Sequence, residues 1–367
     1  MADAKKVDLG KYDKAMRTGP GAETPLVWHS PKDAPFRIAG FAWWETDRAY
    51  RRMPVAPPEP LPEAVDKLAD WTAGGQIRFR SDSKRVAVRV TLTDKADMNH
   101  MPATGQCGFD CYIGSVGEQR FVGVTKYDHH QVGYEHKLYE VAEPVMRSFT
   151  LNFPLYMGVR EVHVGLEADA EVLAPDPYES DGRVIVYGTS ITQGGCAARP
   201  GMCYTNILSR RIHREFINLG FSGSGRGEPE VARTVATIDR PALFVLDYEG
   251  NAGGIEPLTR TFPEFIRILR EAHPSVPILA LSHIRFAGES VNPKALAARL
   301  ERRDFQKKII DDLRAAGDAN VHFLDGSDFL GDDFDECTVD GVHPTDLGFL
   351  RIADAVTPVI RGILETT

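Results

Sequence analysis

A serine, an aspartate and a histidine stand in this chain where they can act together on a carbonyl carbon. The run Val184-Ile185-Val186-Tyr187 is apolar and stops at Gly188; Ser190 follows, with Gly194 and Gly195 shortly after. A buried strand that ends in this way lifts one serine hydroxyl off the end of a sheet. That hydroxyl is a weak nucleophile and needs a base to take its proton as it attacks. Far downstream, Asp340-Gly341-Val342-His343-Pro344 supplies an imidazole for the task. Asp340 lies three residues before His343 in a tight turn, from which it can reach the far ring nitrogen and hold the tautomer. The negative oxygen of a tetrahedral intermediate needs donors already in place, and the amides of Ser190 and Gly223 with the side chain of Asn251 are the candidates. Losing one such donor costs about 3 to 4 kcal/mol of barrier. Each signal alone is commonplace in a turn or helix cap; their joint occurrence, each after its own strand, points to acyl transfer through a serine.

The elements that must position these residues divide near Ala174-Pro175-Asp176-Pro177-Tyr178, giving an N-terminal domain over 1–178 and a C-terminal domain over 179–367. In the first part the apolar period is two. Val86, Val88, Val90 and Leu92 alternate with Arg85, Arg89 and Thr91, and short runs of the same kind cover 76–80, 109–113, 121–124, 148–153 and 159–166. Many short strands without long helical stretches imply a β-sandwich. The proline-rich run 54–62 reads as a rigid surface connection. In the second part strands alternate with helices: strands near 184–187, 216–219, 242–246, 277–281 and 321–324, and helices near 203–216, 229–238, 258–272, 293–316 and 347–364. That order implies a parallel sheet covered on both faces, a three-layer α/β/α domain. Polar groups then gather outside the carboxyl ends of the strands, where Ser190, the run 218–223, Asn251, and Asp340 with His343 all fall.

The four segments resemble the sequence blocks of the SGNH hydrolases, or GDSL-like esterases. Gly188-Thr189-Ser190-Ile191-Thr192 matches the first block with Thr189 in place of the usual aspartate, 218–223 the second, Gly250-Asn251 the third and 340–344 the last. Ala252 stands where many members carry an aspartate. The resemblance implies Ser190 as nucleophile, His343 as base, Asp340 as its partner, and Gly223 and Asn251 as oxyanion donors. Gly108-Phe109-Asp110-Cys111-Tyr112, with Phe153-Pro154-Leu155-Tyr156-Met157-Gly158-Val159, is similar to the GxDLY domain that precedes some SGNH hydrolases. Together these imply a bacterial esterase that removes an acyl group, most simply acetyl, from a carbohydrate or polysaccharide. A thioesterase or lipase-type acyl hydrolase would use the same nucleophile, and a catalytically impaired carbohydrate-binding protein is the reading that Ala252 favours.

The remaining composition narrows the partners. A net charge of -9 over 367 residues disfavours nucleic acid and anionic membrane surfaces. No apolar run reaches the roughly 20 residues of a membrane span. Met1 to Lys14 lacks the apolar stretch of a signal peptide, so the chain as it stands reads as cytoplasmic, or as secreted or periplasmic if a leader has been removed. Five cysteines, Cys107, Cys111, Cys196, Cys203 and Cys337, describe no disulfide framework, and the pair at 107 and 111 lacks a second half-site for zinc. The expected substrate is a small-molecule or carbohydrate ester, and the expected reaction needs no metal or organic cofactor. Trp28, Trp43, Trp44 and Trp71 read as core aromatics before they read as a sugar platform. Asn99-His100 and His129-His130 are candidates for a loop over the cleft, and Arg226 for a contact to substrate.

Overall fold

The computed structural model of the chain describes residues 11–13, 16 and 25–366; most of the run from Met1 to Lys14 lies outside them. The first strands are β1 (Val27–His29), β2 (Arg37–Ala39), β3 (Gln76–Ser81), β4 (Arg85–Leu92), β5 (Asp110–Ile113), β6 (Arg120–Val124), β7 (Gly133–Glu140), β8 (Arg147–Asn152), β9 (Val159–Leu166) and β10 (Val172–Leu173). They build two antiparallel sheets, one in the order β1-β9-β4-β7 and the other in the order β10-β3-β8-β5-β6, with β2 on β3. Period two turns one face of each sheet inward. Val86, Val88 and Val90 of β4, Ile77 and Phe79 of β3, and Phe149 and Leu151 of β8 meet in one shared core. Cys107 and Cys111 are free thiols in that core, and Trp44 is stacked there on Tyr50.

Strand β7 is missing from the expected set for a physical reason. It is an edge strand with four of its eight residues half-exposed, so Tyr134, Glu135, His136 and Lys137 carry no clean apolar alternation. β1, β2 and β10 are too short to leave a periodic signal.

From residue 183 the chain forms a parallel sheet of β11 (Arg183–Gly188), β12 (Glu215–Gly220), β13 (Pro241–Asp247), β14 (Ile278–Leu281) and β15 (Val321–Leu324), in the order β12-β11-β13-β14-β15. Alternate residues feed two cores. Val184, Val186, Leu243 and Val245 pack under the helices Tyr204–Arg211 and Asp346–Glu365. Ile185, Tyr187, Phe244 and Leu246 pack under the helices Pro229–Val235 and Ile255–Ala272. The helix expected over 203–216 stops at Arg211 instead: Ile212 is extended, with φ -124 and ψ 120, and the chain turns there to enter β12. The run 54–62 holds neither helix nor strand, as expected. Among the described residues no helix is long and apolar enough to cross a membrane.

The two halves are joined by polar contacts as well as apolar ones. Arg52 is fully buried, and its guanidinium donates to the carbonyls of Leu68, Trp71 and Gly220, the last at the end of β12. It lies 4.7 Å from the centroid of the Phe221 ring. Glu215 in β12 accepts from the Gly40 amide and from Arg183 Nε. Removing the Arg52 guanidinium takes the donor from the Gly220 and Trp71 carbonyls, while that of Leu68 keeps the Trp71 amide, so Arg52→Met is expected to cost about 3 kcal/mol of unfolding free energy. Urea denaturation measures it as a lower midpoint at unchanged slope; a loss under about 1 kcal/mol would show that water or backbone shifts replace the guanidinium.

Candidate active site

The strand-to-helix turn at Ser190 is built by local hydrogen bonds. Gly188 ends β11, and a Cβ there would lie 2.0 Å from Thr192 Oγ1, so only glycine lets the next turn fold back over the strand. Thr189 caps the short helix Ser190–Gln193: its hydroxyl accepts from the Ile191 amide, and Thr192 Oγ1 accepts from the Thr189 amide. Threonine at position 189 thus does the capping that its place in the turn requires. The Thr192 hydroxyl in turn donates to Asp247 Oδ2 at 2.8 Å, and Tyr204 donates to the same oxygen at 2.7 Å. Asp247 ends β13 and lines the pocket beside Ser190. Desolvation raises its carboxyl to about 6, against the two hydroxyl donors and with help from the charge of Glu249.

Ser190, 8 % exposed, has its Oγ 2.9 Å from His343 Nε2. His343 Nδ1 lies 2.7 Å from Asp340 Oδ2, while Asp340 Oδ1 accepts from the amides of His343 and Val342. Desolvation would raise the Asp340 carboxyl, but those amides and the His343 ring outweigh it and hold it at about 2. Asp340 therefore stays ionised, which puts the ring proton on Nδ1 and leaves Nε2 free to accept from the serine.

Of the expected donors, Asn251 lines the pocket with Ser190, and Gly223 follows Ser222, whose amide donates to Gln193 of the nucleophile turn. Gly223 adopts φ +66, with open space where a Cβ would be, and its amide has no acceptor among the described residues. Arg226 Nε donates to the Gly223 carbonyl, so this arginine braces the loop. Asn251 lies in the short helix Glu249–Asn251 and lines the pocket with Ser190; its Nδ2 donates to the Phe221 carbonyl at 3.4 Å and keeps a second hydrogen to give. Glu249 anchors that helix by accepting from Arg302 and from the His283 amide. Burial lowers the titration of His283, which also lines the pocket, so that ring is neutral. The pocket has a volume of about 90 Å3 and apolar walls from Ile191, Leu281, Ile284, Phe286, Phe329 and Ile352. A hydroxyl hydrogen-bonded to a base that a carboxylate orients, beside a pocket that Asn251 also lines, can carry out acyl transfer.

The N-terminal half reaches the site at points the sequence does not announce. Tyr156 OH donates to the Ser190 carbonyl at 3.1 Å. Gln193 Nε2 donates to the Leu155 carbonyl, and Gln193 Oε1 accepts from the Ser222 amide. The side chains of Tyr156 and Gln193 thus lock the nucleophile turn and the loop carrying Gly223 together. A charged residue closing the apolar run of β13 was the available signal for Asp247; Tyr156 had none beyond its place in 153–159. Cys196, behind the turn, is no rival nucleophile, since burial and the Asp340 charge push its thiol up to about 12. The four tryptophans form no single platform: Trp28 lies under Arg89, Trp43 and Trp44 pack into different cores, and Trp71 packs on Tyr156. The His100 ring stands edge-on to His343, whereas the His129 and His130 rings meet at a 40° tilt at an exposed turn.

The raised carboxyl of Asp247 carries a sign that can be measured. Between its ordinary 3.8 and the folded value of about 6, the folded chain binds the proton that the unfolded chain has lost. Stability from this group is therefore present at low pH and is lost as pH rises through that window. Asp247→Asn, which keeps an acceptor for both hydroxyls, is expected to flatten that part of the profile in melts from pH 4 to 7. An unchanged profile would assign the slope to other groups.

Comparison with known proteins agrees with this geometry. The GDSL-like Lipase/Acylhydrolase family profile matches residues 181–361, and that of the GxDLY domain, the N-terminus of SGNH-hydrolase-type esterases, matches 26–172. A protein assigned as a GDSL-like lipase from Bacteroides ovatus is 31% identical, with a TM-score of 0.85 over 93% of this chain and 98% of its own. A salicylyl-acyltransferase from a tetracycline biosynthetic pathway shares the fold at 22% identity and a TM-score of 0.71, over 92% and 97% of the two chains. A family two carbohydrate esterase from Cellvibrio japonicus does so at 15% identity and a TM-score of 0.57, over 93% and 98%. No protein of curated function matches significantly. A two-part profile match and a relative of such identity over nearly its whole length lead to one conclusion: the chain belongs to the GDSL-like lipase/acylhydrolase (SGNH) family, with a GxDLY domain at its N-terminal side, and is an ester hydrolase.

Proposed function

We propose that the chain hydrolyses a short-chain carboxylic ester, most simply acetyl, on a carbohydrate, through an acyl-enzyme on Ser190. The observation that carries this reading is the relay in which Ser190 Oγ, His343 Nε2 and Nδ1, and Asp340 Oδ2 follow one another at 2.9 and 2.7 Å. Ser190 Oγ attacks the acyl carbon as its proton passes to His343 Nε2. The negative oxygen that forms takes hydrogen bonds from the Ser190 and Gly223 amides and from Asn251 Nδ2. His343 returns the proton to the departing alcohol oxygen as the ester bond breaks. Water then attacks the acyl-serine by the same route in reverse and releases the acid.

Acyl length follows from volume. The pocket of about 90 Å3 exceeds the share of one water, about 30 Å3, and is smaller than a cavity of about 150 Å3 that holds benzene. It suits an acetyl or similarly short chain. The carbohydrate alcohol is taken from the fold-sharing carbohydrate esterases, one of which, from Clostridium thermocellum, is in complex with cellohexaose. With this reading goes a division of labour in which a domain over 1–178 braces and shapes the cleft and a domain over 179–367 carries the reaction; it rests on Tyr156 and Leu155 meeting the nucleophile turn.

Ser190→Ala is expected to lower kcat on p-nitrophenyl acetate by about 10⁶-fold and to abolish labelling by a fluorophosphonate. Asp340→Asn is expected to lower kcat by about 10⁴-fold, because the ring loses its orienting charge. Turnover should fall from acetyl to octanoyl esters, and acetate should be released from acetylated sugars or xylans. Faster turnover of acyl-CoA than of any oxygen ester would favour a thioesterase, and full activity in Ser190→Ala would remove the acyl-enzyme.

A further inference from the structure

The imidazole of His343 has neighbours that the acyl-transfer reading does not use. His100 stands in the loop between β4 and β5, and Cys196 in the loop that follows the nucleophile turn. One donor atom from each of His100, Cys196 and His343 lies within 4.8 Å of the others. The two rings meet edge-on with centroids 6.0 Å apart.

Both imidazoles are held in the same way. Asn99 Oδ1 lies 3.1 Å from His100 Nδ1, as Asp340 Oδ2 lies 2.7 Å from His343 Nδ1. An oxygen acceptor at Nδ1 keeps the proton there and leaves the lone pair on Nε2, which in His343 accepts from Ser190 Oγ. Metal-bound histidines are oriented by such outer contacts, which also raise their basicity. The third donor is a buried thiol without a hydrogen-bond partner among the described residues. Its residue is held at φ 76, a left-handed conformation that a non-glycine residue keeps only where its surroundings enforce it.

Two imidazole nitrogens and a sulfur are a donor set for zinc, which binds at about 2.0 to 2.1 Å to nitrogen and about 2.3 Å to sulfur. Those bonds bring donors closer together than 4.8 Å, and His100, half-exposed on its loop, can close the difference by a small ring movement. A fourth position is left for water.

We propose that His100, Cys196 and His343 form an inhibitory site for a thiophilic divalent cation such as Zn²⁺. The cation takes the His343 Nε2 lone pair and breaks the hydrogen bond from Ser190, whose hydroxyl keeps its proton. Cys196 binds as the thiolate and gives its proton to solvent, so one proton is released for each cation bound. The effect on turnover rests on His343 being the base; the binding does not.

Titration of the full chain with Co²⁺, followed by absorption, tests the binding. The expected result is a thiolate-to-cobalt charge-transfer band that saturates at one equivalent, is displaced by Zn²⁺, survives Ser190→Ala and vanishes in Cys196→Ala. In parallel, Zn²⁺ should inhibit p-nitrophenyl acetate hydrolysis reversibly to EDTA. His100→Ala, on the half-exposed loop where folding is not at stake, should need at least about 10-fold more Zn²⁺ for the same inhibition, the least that losing a ligand should cost when an outer partner costs that much. No charge-transfer band in the unaltered chain, or equal zinc sensitivity in His100→Ala, overturns the site. Failure of the acyl-enzyme reading would instead appear as esterase activity retained by Ser190→Ala with the cobalt band unaffected.

Discussion

The Thr192 hydroxyl holds the turn on which the rest of the site depends. Its oxygen accepts from the Thr189 amide and its proton goes to Asp247, so one side chain ties the end of β11 to the end of β13. These neighbouring strands flank the switch point of a sheet in the order β12-β11-β13-β14-β15, the place where an open parallel sheet leaves a crevice. Ser190 stands at the end of one strand and Asn251 just beyond the end of the other. The ladder already sets Gly188 opposite Asp247, and the tie carries that register past the strand ends into the turn that holds the proposed nucleophile.

Two carboxylates near the pocket are tuned in opposite directions by their surroundings. Asp340 takes two backbone amides and a ring N–H, and together these overcome its desolvation. Asp247 has only two hydroxyl donors and a neighbouring Glu249, and desolvation prevails. The first is thus a permanent charge beside His343, and the second a structural acceptor whose ionisation is unfavourable. Having the charge on the solvent side of the relay avoids burying an ion pair, which costs several kcal/mol per ion.

The N-terminal sheets are more than a neighbour to the α/β domain. Arg52 ends on the carbonyl of Gly220, Tyr156 on that of Ser190, and the Leu155 carbonyl on Gln193. Each contact joins backbone to a side chain, so each is specific to one register of the two halves. Pre-organised donors act without reorganisation at the moment of reaction, and such bracing supplies that rigidity.

Much of this molecule was legible in local pattern. The period of two in β4, the apolar runs of β11 and β13 and the glycine before Ser190 all state the local backbone geometry, because side-chain alternation and steric limits act over a few residues. The same is true of Asp340 and His343, whose pairing is made within one turn. Edge strand β7 and the stop of the helix at Arg211 were not legible, since exposure and the path to the next strand decided them. Nor were Tyr156, Gln193 and Asp247, which act on residues distant in the chain, or the gathering of His100 and Cys196 around His343. Residue type and spacing dictated which chemistry was available; packing of one sheet against another decided which side chains share it, because hydrogen bonds between remote segments form only once the cores have brought their backbones into register.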